Sequence, residues 1–229
     1  MPDRAGIGDA VIEEILPDCV AVVERRNDPV DATLFAEEEQ VVARAVEKRR
    51  REFTTARMCA RDALQALGFA AVAIPTGERG EPLWPTGALG SITHCEGYRG
   101  AAVARSSEIV TLGIDAEPNA PLPDGLIGDI AMPEELPSLR RLAAERPEVH
   151  WDRLLFSAKE SVYKAWFPLA RRWLGFEDAV VVLDPRAHRF EARLLVPGPQ
   201  LEHGPLRTLS GRWMDHDGII LTAISLTRT

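Results

Sequence analysis

The segment from Trp151 to Pro168 constrains this chain most. Trp151, Leu155, Ala158, Val162 and Ala165 recur at steps of four, three, four and three, the spacing of one apolar stripe on a helix. Pro168 is expected to end the pattern. Glu160 and Lys164, four apart, share another face, with Lys159 and Tyr163 stacked beside them. Taken alone this describes a surface helix carrying an i,i+4 ion pair. The choice of cations argues for more. Of 27 basic residues only three are Lys, and two of those lie here, five apart. Compact ammonium groups in a chain that otherwise uses Arg suit point-charge contacts to phosphate.

A second stretch supplies what this helix lacks. Ile109 to Glu117 reads as a strand closed by Pro118. Side chains alternate along it, so Asp115 and Glu117 project together. Two carboxylates roughly 7 Å apart repel unless a cation lies between them. A solvated strand end is one reading. With a Glu/Lys helix downstream, a hard divalent cation holding a phosphate substrate is the better one.

Gly113-Ile114-Asp115-Ala116-Glu117 and Phe156-Ser157-Ala158-Lys159-Glu160-Ser161-Val162-Tyr163-Lys164 together resemble the 4′-phosphopantetheinyl transferases of the Sfp type. These have a G-[IV]-D-x-E strand and a [FW]-x-x-K-E-[AS]-x-x-K helix at about this separation. The pair is specific, whereas either motif alone is weak. The likeness runs from about Val41 to Leu226 and is strongest to the actinobacterial branch acting on carrier proteins of fatty acid, polyketide and siderophore assembly. It implies an α+β fold of two similar α+β halves, each an antiparallel sheet packed on a long helix, with the active site in the cleft between them. The halves are expected at 1–112 and 113–229.

The resemblance also implies a reaction and a site. Phosphopantetheine moves from coenzyme A, a substrate, to a serine of an acyl or peptidyl carrier protein, releasing 3′,5′-ADP. Mg²⁺, with Mn²⁺ as an alternative, is expected on Asp115 and Glu117, with the Ala116 carbonyl or water and the pyrophosphate completing six oxygens. The Ala116 side chain cannot bind metal, so a further oxygen ligand is required. Glu160 is the candidate base for the serine proton, and in some relatives it also touches the metal. Lys164 would offset charge on the phosphate under attack, and Lys159 would do likewise or pair with the substrate. Arg49 and Arg57, in the Arg49-Arg50-Arg51-Glu52-Phe53 context, are expected against the phosphates and adenine. Arg79 belongs to a G-x-[KR]-G-x-P-x-W coenzyme A wall, in which Thr76 stands where relatives often have Lys. Thr93 and His94 lie in an S-x-[ST]-H segment that touches phosphates, and Leu174 is expected to line the pantetheine tunnel.

The rest of the chain sets bounds. At 229 residues it is one large domain or two small ones, and 45% apolar content supplies a core. A net charge of −8 argues against nucleic-acid binding by the whole surface. Cys19, Cys59 and Cys95 have no metal spacing and no disulfide framework, which fits a reducing cytoplasm. The start Met1-Pro2-Asp3-Arg4 has no signal-peptide pattern, and no apolar run approaches the roughly 20 residues of a membrane span. A monomer is expected by family resemblance.

Along the chain, residues 1–10 read as a frayed terminus, Val11–Leu16 as a short apolar segment, Cys19–Glu24 as a strand and Asn27-Asp28-Pro29 as a turn. Phe35 to Leu67 reads as helix in one or two pieces, with Val41, Val42, Ala45, Phe53, Ala56, Ala60, Ala63, Leu64 and Leu67 as its buried stripe and Gly68 as its cap. Arg49, Arg57 and Arg61 share a face, readable equally as a solvated basic face. Pro75–Pro85 is a Gly/Pro loop without a Walker sequence. Residues 105–112 carry the boundary between halves. Residues 118–150 read as an irregular, mobile excursion with a helix near Leu136–Ala144, suited to a protein partner. Ala179–Leu183, Arg189–Val196, Thr208–Met214 and Gly218–Leu226 read as strands completing the second sheet. Two other classes stay open: a non-catalytic coenzyme A or carrier-protein binding module, and a metal-dependent nuclease, which would want its Glu and Lys two apart on a strand.

Overall fold

The computed structural model describes residues 10–228. One antiparallel sheet has the order β1-β3-β2, from Ala21–Arg25 (β1), Ala88–Cys95 (β2) and Tyr98–Arg105 (β3). The other has the order β4-β10-β9-β6-β5, from Ile109–Pro118 (β4), Ala179–Asp184 (β5), Arg189–Leu194 (β6), Thr208–His216 (β9) and Ile219–Thr227 (β10). Gln200–Leu201 (β7) and Gly204–Pro205 (β8) form a small ribbon. Helices Ala36–Val42 (α1) and Glu47–Ala66 (α2) precede β2, and Ile127–Ile130 (α3), Leu136–Glu145 (α4) and Trp151–Ala170 (α5) lie between β4 and β5. This is the expected α+β arrangement of two sheets, each carrying one long helix.

Three cores hold it together. Cys59, Ala60, Ala63 and Leu64 of α2 pack on Val23, Ala101 and Val103 of the first sheet. The stripe Trp151, Leu155, Ala158, Val162 and Ala165 packs on the second sheet with Ala192, Trp213 and Ile220. The opposite faces of both sheets share a third core, in which Val22, Ala102 and Ala104 meet Leu112, Ile114 and Ala116. Strand alternation therefore divides β4. Leu112, Ile114 and Ala116 enter the shared core, joined by Ile109 at the strand's start, while Thr111, Gly113 and Asp115 face α5. At Gly113 the helix comes so close that a Cβ would lie 2.2 Å from the Ser161 carbonyl oxygen. Hydroxyls fix the register there. Thr111 donates to the Ala165 carbonyl at 2.6 Å, and Ser157 and Ser161 share the Thr222 hydroxyl at 2.9 and 2.5 Å.

Several expectations change. The first helical region is two helices, broken at residues 43–46. Val41 falls beside that break and Ala45 within it, and both leave the buried stripe, Val41 being 47% exposed. Pro168 lies inside α5 and does not end it. It sits in the last turn, where its missing N–H costs a single ladder bond, and the helix stops at Arg171 in the left-handed region (φ 51°). The 118–150 excursion is anchored by Ile130, Leu139, Leu142 and Val149 in the core of the second sheet. The chain passes between sheets at the β3–β4 turn, and β4 runs unbroken through 112 and 113. The frayed-terminus reading concerns residues 1–9, outside the described residues, whereas Ala10 is buried. Among the described residues no helix is long and apolar enough to cross a membrane.

Candidate active site

A cleft of about 650 Å³ opens between the two halves. One wall comes from α2, the 75–85 loop and β2; the other comes from α5 and β4. Arg49, Arg57, Thr76, Arg79 and His94 line the first, Glu160, Lys164 and Tyr163 the second.

The first wall is cationic and mostly braced. Arg57 is buried, its Nε donating to the Ile74 carbonyl at 2.9 Å and its Nη2 to the Thr76 hydroxyl at 3.0 Å. Its guanidinium lies 4.4 Å from the Phe53 ring centroid. Burial, with Arg61 and Arg49 nearby, holds its pKa down to about 10 against the pull of Glu38. Arg49 donates to Nε2 of His94. Burial and the charges of Arg49, Lys164, Arg99 and Arg57 push the His94 pKa down to about 4, so the ring is neutral near pH 7. Arg61, on the same helical face, belongs elsewhere. It donates to both oxygens of buried Glu38, at 3.0 and 2.8 Å. The 75–85 loop folds over its own carboxylate. The Arg79 N–H donates to Glu81 Oε2 at 3.0 Å, so that amide is already taken.

The second wall is acidic. Lys164 donates to Asp115 Oδ1 at 2.7 Å and to the Ile114 carbonyl at 3.0 Å. The i,i+4 pairing of Lys164 with Glu160 expected for a plain surface helix is therefore replaced by a pairing across to β4. Arg153 donates to Glu117 Oε2 at 2.9 Å. Glu117 is nevertheless pushed up to about 7, first by burial and then by the Asp115 charge. Glu160 is raised as well, by burial and then Asp115, with Lys164 opposing. A carboxyl so placed suits a proton acceptor.

Six candidates lie outside the cleft lining: Asp115, Ala116 and Glu117 on β4, and Lys159, Leu174 and Thr93. Lys159 is 3% exposed; its ammonium meets Glu135 at 2.9 Å and the carbonyls of Ile130, Phe176 and Ala179 at 3.0, 2.8 and 3.0 Å. Its three N–H bonds are spent on the protein, so the expected contact to substrate is replaced by a pin between α5 and the excursion. Leu174 lines a second cavity of about 170 Å³, which shares Glu160 and Tyr163 with the cleft. Thr93 is buried against Asp115. Sequence reasoning did not single out Arg153 or Glu135 as partners. An Arg on the motif helix and a Glu after a proline look like any surface charge, and only the fold brings them to Glu117 and Lys159.

Among the described residues no group of three or more His, Cys, Asp or Glu could by itself hold a metal ion. Asp115 and Glu117 still suit a hard cation. Asp115 Oδ2 is buried without a partner, and a cation beside the two acids would offset the Asp115 charge that helps raise Glu117. Two protein carboxylates leave the remaining ligands to substrate oxygens, water or backbone.

A family model described as the 4′-phosphopantetheinyl transferase N-terminal domain matches residues 37–104, and one described as the 4′-phosphopantetheinyl transferase superfamily matches 111–208. The chain is 53% identical over 206 residues to 4′-phosphopantetheinyl transferase Svp of Streptomyces mobaraensis, covering 90% of this chain and 83% of that one. It is 46% identical to 4′-phosphopantetheinyl transferase PptT of Mycobacterium tuberculosis over 94% of this chain and 98% of that one. Enterobactin synthase component D of Salmonella typhi matches at 36% identity over 78% of this chain and 72% of its own.

Proposed function

The chain belongs to the 4′-phosphopantetheinyl transferase superfamily, and from that premise we propose that it transfers the 4′-phosphopantetheine group of coenzyme A to a serine of an apo acyl or peptidyl carrier protein. The observation that carries this reading is the pairing of walls. A cationic wall faces a wall with a raised carboxyl, Glu160, and a lysine held on Asp115.

In this reading Arg49, Arg57, Arg79 and His94 take the phosphates, and Thr76 keeps Arg57 aimed. Neutral His94 accepts from Arg49 at Nε2, which leaves its Nδ1–H as a donor. Asp115 and Glu117 would hold Mg²⁺, or Mn²⁺ in its place, with the Ala116 carbonyl or water. Bound there, the ion supplies charge neutralisation to the pyrophosphate. Glu160 accepts the serine proton, directly or through water, as the serine oxygen bonds to the phosphorus nearer pantetheine. The pyrophosphate P–O bond breaks and 3′,5′-ADP leaves. Lys164, oriented by Asp115 and the Ile114 carbonyl, balances charge on the phosphate under attack. Leu174 and the second cavity receive the pantetheine arm. The free cysteines support a cytoplasmic setting, and the names of the relatives support siderophore or related assembly lines as the source of carriers.

The test is a mass spectrum of an apo carrier protein incubated with this chain, coenzyme A and Mg²⁺. A phosphopantetheine adduct is expected, and its absence over a panel of acyl and peptidyl carriers would overturn the reading.

A further inference from the structure

We infer that Ser91 and Thr93 form a hydroxyl clamp that sets the two halves in register, and that Thr93 is a positioning residue for Asp115; the second clause rests on the transferase reading above.

The argument starts from β4, whose backbone pairs on one side only, with β10. The N–H groups of Ile114 and Ala116 point to the other side, which is buried, and a buried donor needs an acceptor. β2 runs alongside but forms no ladder with β4, its backbone pairing being with β3 alone. Its side chains serve instead. The Ile114 N–H donates to Ser91 Oγ at 3.0 Å, and the Ala116 N–H donates to Thr93 Oγ1 at 3.0 Å. Ser91 and Thr93 are two apart on β2, as Ile114 and Ala116 are on β4, so the hydroxyls repeat with the period of the strands. They stand where the carbonyls of a paired strand would. Both residues are buried, at 4% and 2% exposure.

The acceptor role leaves each hydroxyl one proton to give. Thr93 gives its proton to Asp115 Oδ1 at 3.2 Å. Lys164 donates to the same oxygen at 2.7 Å. Both donors fall on Oδ1, so the carboxylate is held with Oδ2 buried and unpartnered, the oxygen left for a ligand. With its proton on Asp115 and a lone pair on Ala116, Thr93 has no donor for a phosphate. This differs from the phosphate contact that the resemblance implies. The next residue, His94, lines the cleft beside Arg49. One strand therefore sets the anion-facing histidine and the metal-facing aspartate against each other.

Thr93→Val removes the hydroxyl and keeps the shape, Thr93→Ser keeps the hydroxyl, and Ser91→Ala removes the other rung. Partners that orient metal-binding groups typically contribute roughly 10–100-fold in metal affinity or activity. Thr93→Val should lower kcat and raise the Mg²⁺ concentration for half-maximal rate by that order, while calorimetric affinity for coenzyme A is retained. Thr93→Ser should restore both. Amide exchange should quicken at Ala116 in Thr93→Val and at Ile114 in Ser91→Ala, the latter with unchanged Mg²⁺ dependence. If Thr93→Val weakens coenzyme A binding as much as it lowers kcat/KM, with Mg²⁺ dependence unchanged, Thr93 is a phosphate contact and the inference fails. It also fails if Ala116 exchange is unchanged. Should Thr93→Val not fold, Thr93→Cys, a poor acceptor, is read the same way, and wild-type Mg²⁺ dependence in it overturns the positioning role. Wild-type protein that transfers nothing overturns the transferase reading alone, because the exchange experiment needs neither substrate nor metal.

Discussion

The two walls of the cleft are unbalanced in opposite senses. On the wall from α2 and β2, Arg57 is braced by Ile74 and Thr76, and its pKa is held down by burial and by other guanidinium groups. His94 is kept neutral by burial and the same positive field. That wall lacks an anion. On the wall from β4 and α5, Glu117 and Glu160 are raised by burial and by Asp115, even with Lys164 and Arg153 close by. That wall lacks a cation. A magnesium pyrophosphate would correct both at once, which a plain phosphate or a plain metal would not. The contrast predicts that variants on the acidic wall lose turnover and those on the basic wall lose coenzyme A affinity.

Asp115→Ala should break the acidic wall most. Metal-supplied stabilisation is worth several kcal/mol, so roughly 10³-fold or more in rate is at stake. Folding should survive, because Lys164 keeps the Ile114 carbonyl and about a quarter of its side chain reaches water. A variant turning over normally in Mg²⁺ removes the metal from this wall. Glu160→Gln keeps the shape and removes the proton acceptor. A rate loss of roughly 10²–10⁴-fold with coenzyme A binding retained is expected. A loss under about tenfold makes Glu160 structural.

The two lysines of α5 show what was legible in the sequence and what was not. Helical period put Lys159 and Lys164 on one helix, and it predicted the apolar stripe residue by residue. Strand period put Asp115 and Glu117 on one face. Those are local geometry. Partners are not local. Lys164 reaches Asp115, whereas Lys159 reaches Glu135, 24 residues earlier in the chain. Nothing in the residues around Lys159 announces a buried glutamate. Breaking such a buried pair typically costs about 3–5 kcal/mol, so Lys159 speaks to stability before it speaks to substrate. The Pro168 expectation failed for a related reason. Proline interrupts one hydrogen bond, but the packing of Ala165, Trp166 and Phe167 carries the last turn onward.

Arg57→Ala tests the basic wall. A hydrogen bond to a charged group contributes about 1.5–3 kcal/mol, so coenzyme A affinity should fall roughly ten- to hundredfold. The remaining binding should depend less on salt. Unchanged affinity would make Arg57 a brace for the 75–85 loop only.

His94 gives that wall a pH signature. Its folded pKa, about 4, lies below its ordinary 6.5. Between those values the unfolded chain binds the proton and the folded protein does not, so stability falls as pH drops from 6.5 towards 4, by at most about 1.4 kcal/mol per pH unit. NMR titration should find the His94 midpoint near 4 in the free protein and higher with coenzyme A bound, because phosphate offsets the surrounding cations. A midpoint near 6.5 without ligand would show that the wall carries no such excess.

The smallest effect is expected at the rim, where the two walls meet. Arg171 and Arg172 follow α5, and from sequence they look interchangeable as a basic patch for an acidic carrier protein. The structure separates them. Arg172 donates to the Pro197 carbonyl and covers Trp166, its guanidinium 5.0 Å from the ring centroid. Arg171 lines the cleft mouth, 64% of its side chain exposed, and reaches across it to Glu81 at 3.5 Å. An exposed pair at that distance contributes about 0–1 kcal/mol, so it neither locks the mouth nor adds much stability. Its charge is free to act at longer range. Rim charges act mainly on association rate and salt dependence, and such fields are screened beyond about 8 Å at physiological ionic strength. Arg171→Glu should therefore raise KM for the carrier protein by a few-fold at low salt, converge with wild type as salt is added, and leave KM for coenzyme A nearly unchanged. Arg172→Ala should lower Tm and leave both KM values alone. If Arg171→Glu raises KM for coenzyme A instead, Arg171 belongs with Arg57 and His94, and the basic wall extends past the rim onto α5.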